Sequence, residues 1–165
     1  LPEKPWAASG RRGRGTHNII NSLYLTPQEL ERLTRERFAR YDKIKATEQR
    51  AEEYLTEDAD VVVVAYGASS RIARSAVNMA REKGIRAGLI RPITVWPYPT
   101  NAIERAIPTA KAFLCVEMSM GQMVDDVRLT VNGRKPVHFY GRTGGIIPTP
   151  AEVLDQIEKI VGGAE

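Results

Sequence analysis

Apolar and polar positions change period three times between residues 26 and 90 of this chain. From residue 26 to about 54 the sequence is charge-rich, with a thin apolar stripe at Leu30, Leu33, Phe38, Tyr41 and Ile44. That spacing predicts one long amphipathic helix, with Glu31–Arg35 and Glu36–Arg40 at the separation that favours surface ion pairs. Thr26, Pro27 and Glu29 give it a capped start of the capping-box kind. Residues 61–64 are then four consecutive valines, a β-branched run suited to a strand buried on both faces. Ile72, Ala73, Ala76, Val77 and Ala80 return to helical spacing, with Ser69 or Ser70 as the expected cap and Gly84 as the stop. A second apolar run at residues 85–90 completes a β-α-β unit.

The same plan repeats to the end of the chain. Residues 91–99, R-P-I-T-V-W-P-Y-P, hold three prolines and predict a stiff extended loop. Thr100 is placed to cap a short helix over 101–107, and residues 112–117 form a third strand. Residues 122–131 read as a helix closed by Asn132 and Gly133, and residues 136–140 as a fourth strand. Thr149, Pro150 and Glu152 open a last helix whose buried face is Val153, Leu154, Ile157 and Ile160 or Val161. Strands alternating with helices predict an α/β fold, three-layer α/β/α with a mostly parallel sheet, preceded by the long helix. Its organisation reads as an irregular basic interdomain segment over 1–25, an amphipathic linker helix over 26–58, and the α/β domain over 59–165.

Charge separates the two parts. Residues 1–50 hold eleven Lys/Arg against six Asp/Glu, whereas the remainder holds thirteen against fourteen. Arg11, Arg12 and Arg14 form a short basic run without interleaved aromatics, which argues against a nucleic-acid partner. No run reaches the roughly 18–20 apolar residues of a spanning helix, so no membrane partner is expected. Cys115 is the single cysteine and sits in an apolar run, which excludes an intramolecular disulfide and a four-cysteine cluster within these residues. It reads as a core residue, and a chain without disulfides fits the cytoplasm. The chain begins at Leu1 rather than Met, as a fragment or processed product would.

In open α/β sheets ligands bind beyond the C-terminal ends of the strands. Those ends carry Gly67, Ser69, Ser70 and Arg71; Arg91, Trp96 and Tyr98; Glu117, Met118, Met120 and Gln122; and Arg142, Thr143 and Gly144. The turn at Gly67–Arg71 is similar to a phosphate cradle but has one glycine and neither the dinucleotide nor the Walker pattern. Arg142 with Thr143 and Gly144 could hold an anion or a partner. Glu117 could orient a loop or act as an acid or base, with nothing beside it at catalytic spacing. His17 and His138 have no second ligand in sequence. No catalytic or metal-binding constellation assembles. Met118, Met120, Met123, Trp96 and Tyr98 instead suggest an adaptable apolar surface of the kind found at protein contacts. One reading of this pattern is a self-contained small-molecule or nucleotide-binding module.

Four motifs in order support another: A-D-V-V-V-V-A-Y-G-A-S-S-R-I-A, G-L-I-R-P-I-T-V-W-P-Y-P, V-E-M-S-M-G-Q-M-V-D-D-V-R and F-Y-G-R-T-G-G. Together they resemble the C-terminal part of the α subunit of 2-oxoacid:ferredoxin oxidoreductases of the 2-oxoisovalerate/2-oxoglutarate type. The resemblance implies a transketolase C-terminal-like domain with one antiparallel strand, for which the region of residues 5–9 and the tail of the sheet are candidates. It also implies an enzyme that decarboxylates 2-oxoacids oxidatively on thiamine diphosphate and Mg, transfers the acyl group to coenzyme A, and passes electrons through iron–sulfur clusters to ferredoxin. The diphosphate motif and cluster cysteines of that family lie in other subunits, so the resemblance implies a non-catalytic assembly domain. Its expected partners are the subunit's N-terminal domain, the thiamine-binding β subunit, and the γ and ferredoxin-like δ subunits.

Overall fold

Five strands form one sheet in the order β1-β3-β2-β4-β5 in a computed structural model that describes residues 2–7, 13 and 21–163. The elements are α1 (Pro27–Thr47), β1 (Ala51–Tyr54), β2 (Val61–Val64), α2 (Gly67–Glu82), β3 (Ala87–Pro92), α3 (Thr100–Ala106), β4 (Ala112–Glu117), α4 (Met123–Val131), β5 (Val137–Gly141) and α5 (Pro150–Gly162). The chain divides into two compact units, Leu1–Arg40 and Tyr41–Glu165.

In the first unit the segment before α1 forms local turns. Ala7 N–H donates to the Lys4 carbonyl at 2.9 Å, and the Asn21 side chain brackets Leu23 through two hydrogen bonds of 3.0 and 2.9 Å. Residues 5–7 are turn and bend, and residues 8 and 9 of the candidate region lie outside the described residues. Arg11, Arg12, Arg14 and His17 lie outside the described residues. Within the helix, Arg35 pairs with Glu31 at 2.6 Å as expected, while Arg32 binds both Glu29, at 2.7 Å, and Glu36. Glu29 therefore serves an ion pair with the next turn.

The second unit holds the sheet. β2 runs parallel to β3 and β4, and β4 parallel to β5. The antiparallel strand is β1, paired to β3 with Glu52 opposite Arg91 and Tyr54 opposite Leu89. This corrects the sequence expectation of a helix reaching residue 54: α1 ends at Thr47, and four residues later the chain has joined the sheet edge. Ala51-Glu52-Glu53 has good intrinsic helix propensity, which pairing to β3 overrides.

The valine run explains the layering. Because successive strand residues face opposite sides, Val62 and Val64 join Phe113 and Cys115 beneath α3 and α4, while Val61 and Val63 join Leu114 and Val116 beneath α2 and α5. All four valines are buried, and each contributes about 1.5–3 kcal/mol by leaving water. The result is the expected α/β/α sandwich. Thr149 caps α5 in a full capping box, its side chain accepting from Glu152 N–H at 3.2 Å while Glu152 accepts from Thr149 N–H at 2.7 Å. Asn132 closes α4 in the left-handed region at φ 49°. Thr100 is the first residue of α3 rather than its cap. The Gln49 side-chain oxygen accepts from the Asn101 N–H at 3.2 Å and the Thr100 hydroxyl at 3.3 Å, serving the helix start from outside.

Candidate functional site

Strand order fixes where a ligand crevice would lie. The chain leaves β2 toward β3 and leaves β4 toward β5 on the other side, so neighbouring strands β2 and β4 send their exits apart. Their C-terminal ends flank the topological switch point of an open sheet. On the β4 side stands Glu117, 2% exposed. Its carboxylate accepts the N–H groups of Gln122, Met123 and Val124 at 3.1, 3.1 and 2.9 Å, and the Ser119 hydroxyl at 3.0 Å. These amides are the orphan donors at the start of α4, where helix polarity favours a negative charge. Glu117 is thus the remote cap of α4 and the organiser of the 118–122 loop, which is the loop-orienting role among those the sequence allowed.

Cys115 lies two residues back, fully buried, with its thiol 3.6 Å from Glu117. Burial first, and the neighbouring carboxylate second, push that thiol far up, so it is an inert core group. Tyr98 reaches toward the same region. Its hydroxyl is buried with no hydrogen-bond partner among the described residues, and burial pushes its ionisation up. Met123, expected on the surface, is buried in the core under α4.

On the β2 side, Gly67 takes φ 57° as the first residue of α2. Ser69 and Ser70 are buried inside the first turn, and the Ser70 hydroxyl donates back to the Gly67 carbonyl at 2.7 Å. Tyr66 holds the cap position without a side-chain bond, so the expected serine cap is absent. Arg71 is exposed. At the end of β5, Arg142 N–H donates to the Glu117 carbonyl at 3.1 Å and its guanidinium lies 3.4 Å from Glu152 on α5. Thr143 and Gly144 form the next turn, where the Thr143 carbonyl accepts from Ile146 N–H at 3.1 Å and Gly144 takes φ 65°. The guanidinium thus meets one carboxylate, while its buried Nε has no hydrogen-bond partner among the described residues.

What the strand ends do share is exposed apolar surface. Tyr66 follows β2; Ile93, Val95 and Trp96 follow β3; Met118 and Met120 follow β4; Ile146 and Ile147 follow β5; all are exposed, Met120 to 83%. Trp96 also packs edge-on against Tyr41, with ring centroids 5.3 Å apart. Large apolar groups gathered on one rim mark an interaction surface more than scattered ones do.

Residues 59–153 match the family model of pyruvate:ferredoxin oxidoreductase core domain II. The chain belongs to this family. The match runs from just before β2 into α5, and so takes in every strand exit of the rim. Over 161 residues the chain is 41% identical to ketoisovalerate oxidoreductase subunit VorB of Methanothermobacter thermautotrophicus, covering 98% of this chain and 45% of that relative. It is 42% identical over 102 residues to 2-oxoglutarate synthase subunit KorA of Methanothermobacter marburgensis, covering 62% of this chain and 27% of the relative. The chain therefore spans less than half the length of either relative. Among solved structures, 2-oxoglutarate:ferredoxin oxidoreductase from Magnetococcus marinus aligns with a TM-score of 0.67 at 18% identity, covering 82% of this chain and 24% of that one. A split-gene transketolase, in an inactive tetramer, aligns with a TM-score of 0.59 at 19% identity, covering 70% of this chain and 42% of that one. Both show the fold, which is the transketolase-like α/β sandwich expected from the motifs.

Set in this core domain II, the described residues do not fit a thiamine diphosphate or iron–sulfur site. Glu117 is the acid at the switch point, and its oxygens already receive the α4 amides. No group of three or more His, Cys, Asp or Glu among the described residues could hold a metal ion. No helix among them is long and apolar enough to cross a membrane. A cavity of about 610 Å³ lies at the opposite end of the sheet between Leu55, Thr56 and Thr109. Of the charges that line it, Glu53 pairs with Arg105, and Asp58 pairs with Arg81 outside the lining.

Sequence reasoning missed three residues that shape these surfaces: Gln49, which caps α3; Arg81, which ties β3 to the loop after β1; and Glu52, which gathers arginines at the sheet edge. Each acts across more than five residues of sequence. The one signal available was Glu52 and Arg91 at matching positions of paired strands, which needs β1 to be known first.

Proposed function

We propose that this chain is the C-terminal, non-catalytic assembly domain of the α subunit of a 2-oxoacid:ferredoxin oxidoreductase. The observation that carries this reading is the apolar rim at the strand ends, combined with a switch-point acid spent on capping α4. An α/β domain that uses its usual ligand crevice for its own helix cap, yet leaves Met118, Met120, Ile146 and Ile147 in water, is built to be covered by protein. The covering surfaces are the remainder of the subunit and the thiamine-binding β subunit, with γ and ferredoxin-like δ subunits completing the complex. The whole enzyme oxidatively decarboxylates a branched 2-oxoacid or 2-oxoglutarate to its acyl-CoA and delivers electrons to ferredoxin, in the cytoplasm. Thiamine diphosphate with Mg, the iron–sulfur clusters and coenzyme A belong to the other domains and subunits. The names of the relatives, each a subunit of such an enzyme, support the assignment.

The test places Met120→Asp and Ile147→Asp together in the full subunit, co-expressed with its partner subunits. Both side chains are exposed in the isolated fold, so the melting temperature of this domain is expected to stay within about 2 °C. Recovery of the complex and 2-oxoacid-dependent ferredoxin reduction are expected to fall together by tenfold or more, on the order of the charge-burial penalty at an interface. Full recovery of an active complex would contradict the role given to the rim.

A further inference from the structure

Three arginines from two elements meet around one small cavity at the β1 edge of the sheet. Arg71 and Arg74 lie one turn apart on α2, Arg91 is on β3, and Ser70, Leu89 and Glu52 complete a lining of about 110 Å³. Antiparallel pairing puts Glu52 directly opposite Arg91. The Glu52 carboxylate receives Arg74 Nη1 at 2.8 Å and Arg91 Nη1 at 3.0 Å, one oxygen each. Arg91 first, and Arg74 with it, hold the Glu52 carboxyl below the usual range, so it stays ionised. The Arg74 guanidinium also stacks 4.1 Å from the centre of the Tyr54 ring, and Tyr54 is itself tied to Asn78 by a 2.9 Å hydrogen bond. Two guanidiniums are thereby fixed in place with N–H donors left over. Arg71 has no carboxylate partner among the described residues. Three positive charges face one negative, a local balance of +2.

We infer that this arginine-lined cavity is a binding site for a single phosphate group. Arg71 and Arg91 supply the charge-assisted donors, and Glu52 and Tyr54 act as positioning residues that hold Arg74 and Arg91 in place. Guanidinium forks match tetrahedral oxyanions, and fixed donors lose little freedom on binding. The cavity is far smaller than the roughly 300–1,000 Å³ of sites that enclose a whole small molecule. It therefore takes one terminal phosphate, with whatever carries that phosphate lying outside along the exposed flank of α2. Nothing in this site depends on the apolar rim or on assembly, and it is measured on this chain alone.

The experiment is a titration of the isotope-labelled 165-residue chain with inorganic phosphate, followed by backbone amide NMR shifts, with sodium acetate at matched ionic strength as the control anion. Saturable shifts centred on Ser70, Arg71 and Arg91 are expected with phosphate, and at least fivefold weaker ones with acetate. Arg71→Ala and Arg91→Ala are each expected to weaken phosphate about tenfold, as loss of a charge-assisted hydrogen bond does. Glu52→Gln, which keeps one acceptor oxygen to position an arginine while removing the competing negative charge, is expected to tighten it about threefold. The inference is overturned by unsaturable shifts, by equal response to acetate, or by unchanged affinity in both arginine variants. Weaker binding in Glu52→Gln would likewise overturn the charge balance on which the site rests.

Discussion

The carboxylate of Glu117 receives the backbone N–H of Val124 at 2.9 Å, seven residues further along the chain. One buried acid therefore joins the interior strand β4 to the first turn of α4 and fixes the loop that carries Met118 and Met120 on the rim. Glu117→Ala would leave the amides of residues 122–124 and the Ser119 hydroxyl without their acceptor. We expect it to destabilise the domain by about 3–4 kcal/mol, measured by urea unfolding. Glu117→Gln keeps one acceptor oxygen and is expected to cost about half as much. A neutral result in both would remove Glu117 from the frame of the site.

Gly88 is a close-approach position. A Cβ there would stand 2.5 Å from the Leu55 carbonyl oxygen and 3.0 Å from the Ala59 side chain, against backbone that cannot swing aside. Gly88→Ala is expected to destabilise by about 2–3 kcal/mol. Gly162→Ala, with open space at its Cβ inside α5, is the paired control, expected to be neutral or stabilising by about 0.5–1 kcal/mol. Thermal melts of the two variants separate them.

Arg81 holds the same corner from the other side. Its guanidinium makes paired bonds to Asp58 at 2.8 and 2.7 Å, and donates to the carbonyls of Leu55 at 2.8 Å and Ala87 at 2.7 Å. Arg81→Ala is expected to cost about 2–3 kcal/mol, chiefly from the two carbonyls left unpaired. The hydrogen bonds from Arg81 hold the Asp58 carboxyl below its ordinary value. A carboxylate lowered on folding adds stability above the unfolded value, about 3.9, and loses it as pH falls through the lower folded one. The stability difference between the wild type and Asp58→Asn should therefore be constant from pH 7 to about 5 and vanish at acid pH. A difference that grew on acidification would contradict the sign.

Much of this architecture was legible because the signals were local. Val61–Val64 announced a doubly buried strand, and Thr149 with Glu152 announced a capped helix; both are contained within four residues. The motifs 59–73, 88–99, 116–128 and 139–145 pointed to the family, and the family match covers all of that span. β1 was hidden because Ala51-Glu52-Glu53-Tyr54 is too short and too charged to read as a strand, and only β3 makes it one. The candidate site was half legible. Met118, Met120 and Trp96, named from the strand ends, do stand exposed there. Whether a polar residue faces solvent or serves the fold was not: Glu117 is committed to the amides of α4, and Arg142 lies beside Glu152 on α5, contacts that sequence spacing does not reveal.

The most direct measurement of the central claim is isolation of this chain, tagged and expressed at its native level, followed by mass spectrometry of the intact assembly. The assembly-domain account predicts that it co-purifies in fixed stoichiometry with the thiamine diphosphate-binding subunit, in a particle that reduces ferredoxin when supplied with a 2-oxoacid and coenzyme A. Recovery of the chain as a lone monomer, with the ferredoxin-reducing activity elsewhere, would contradict it.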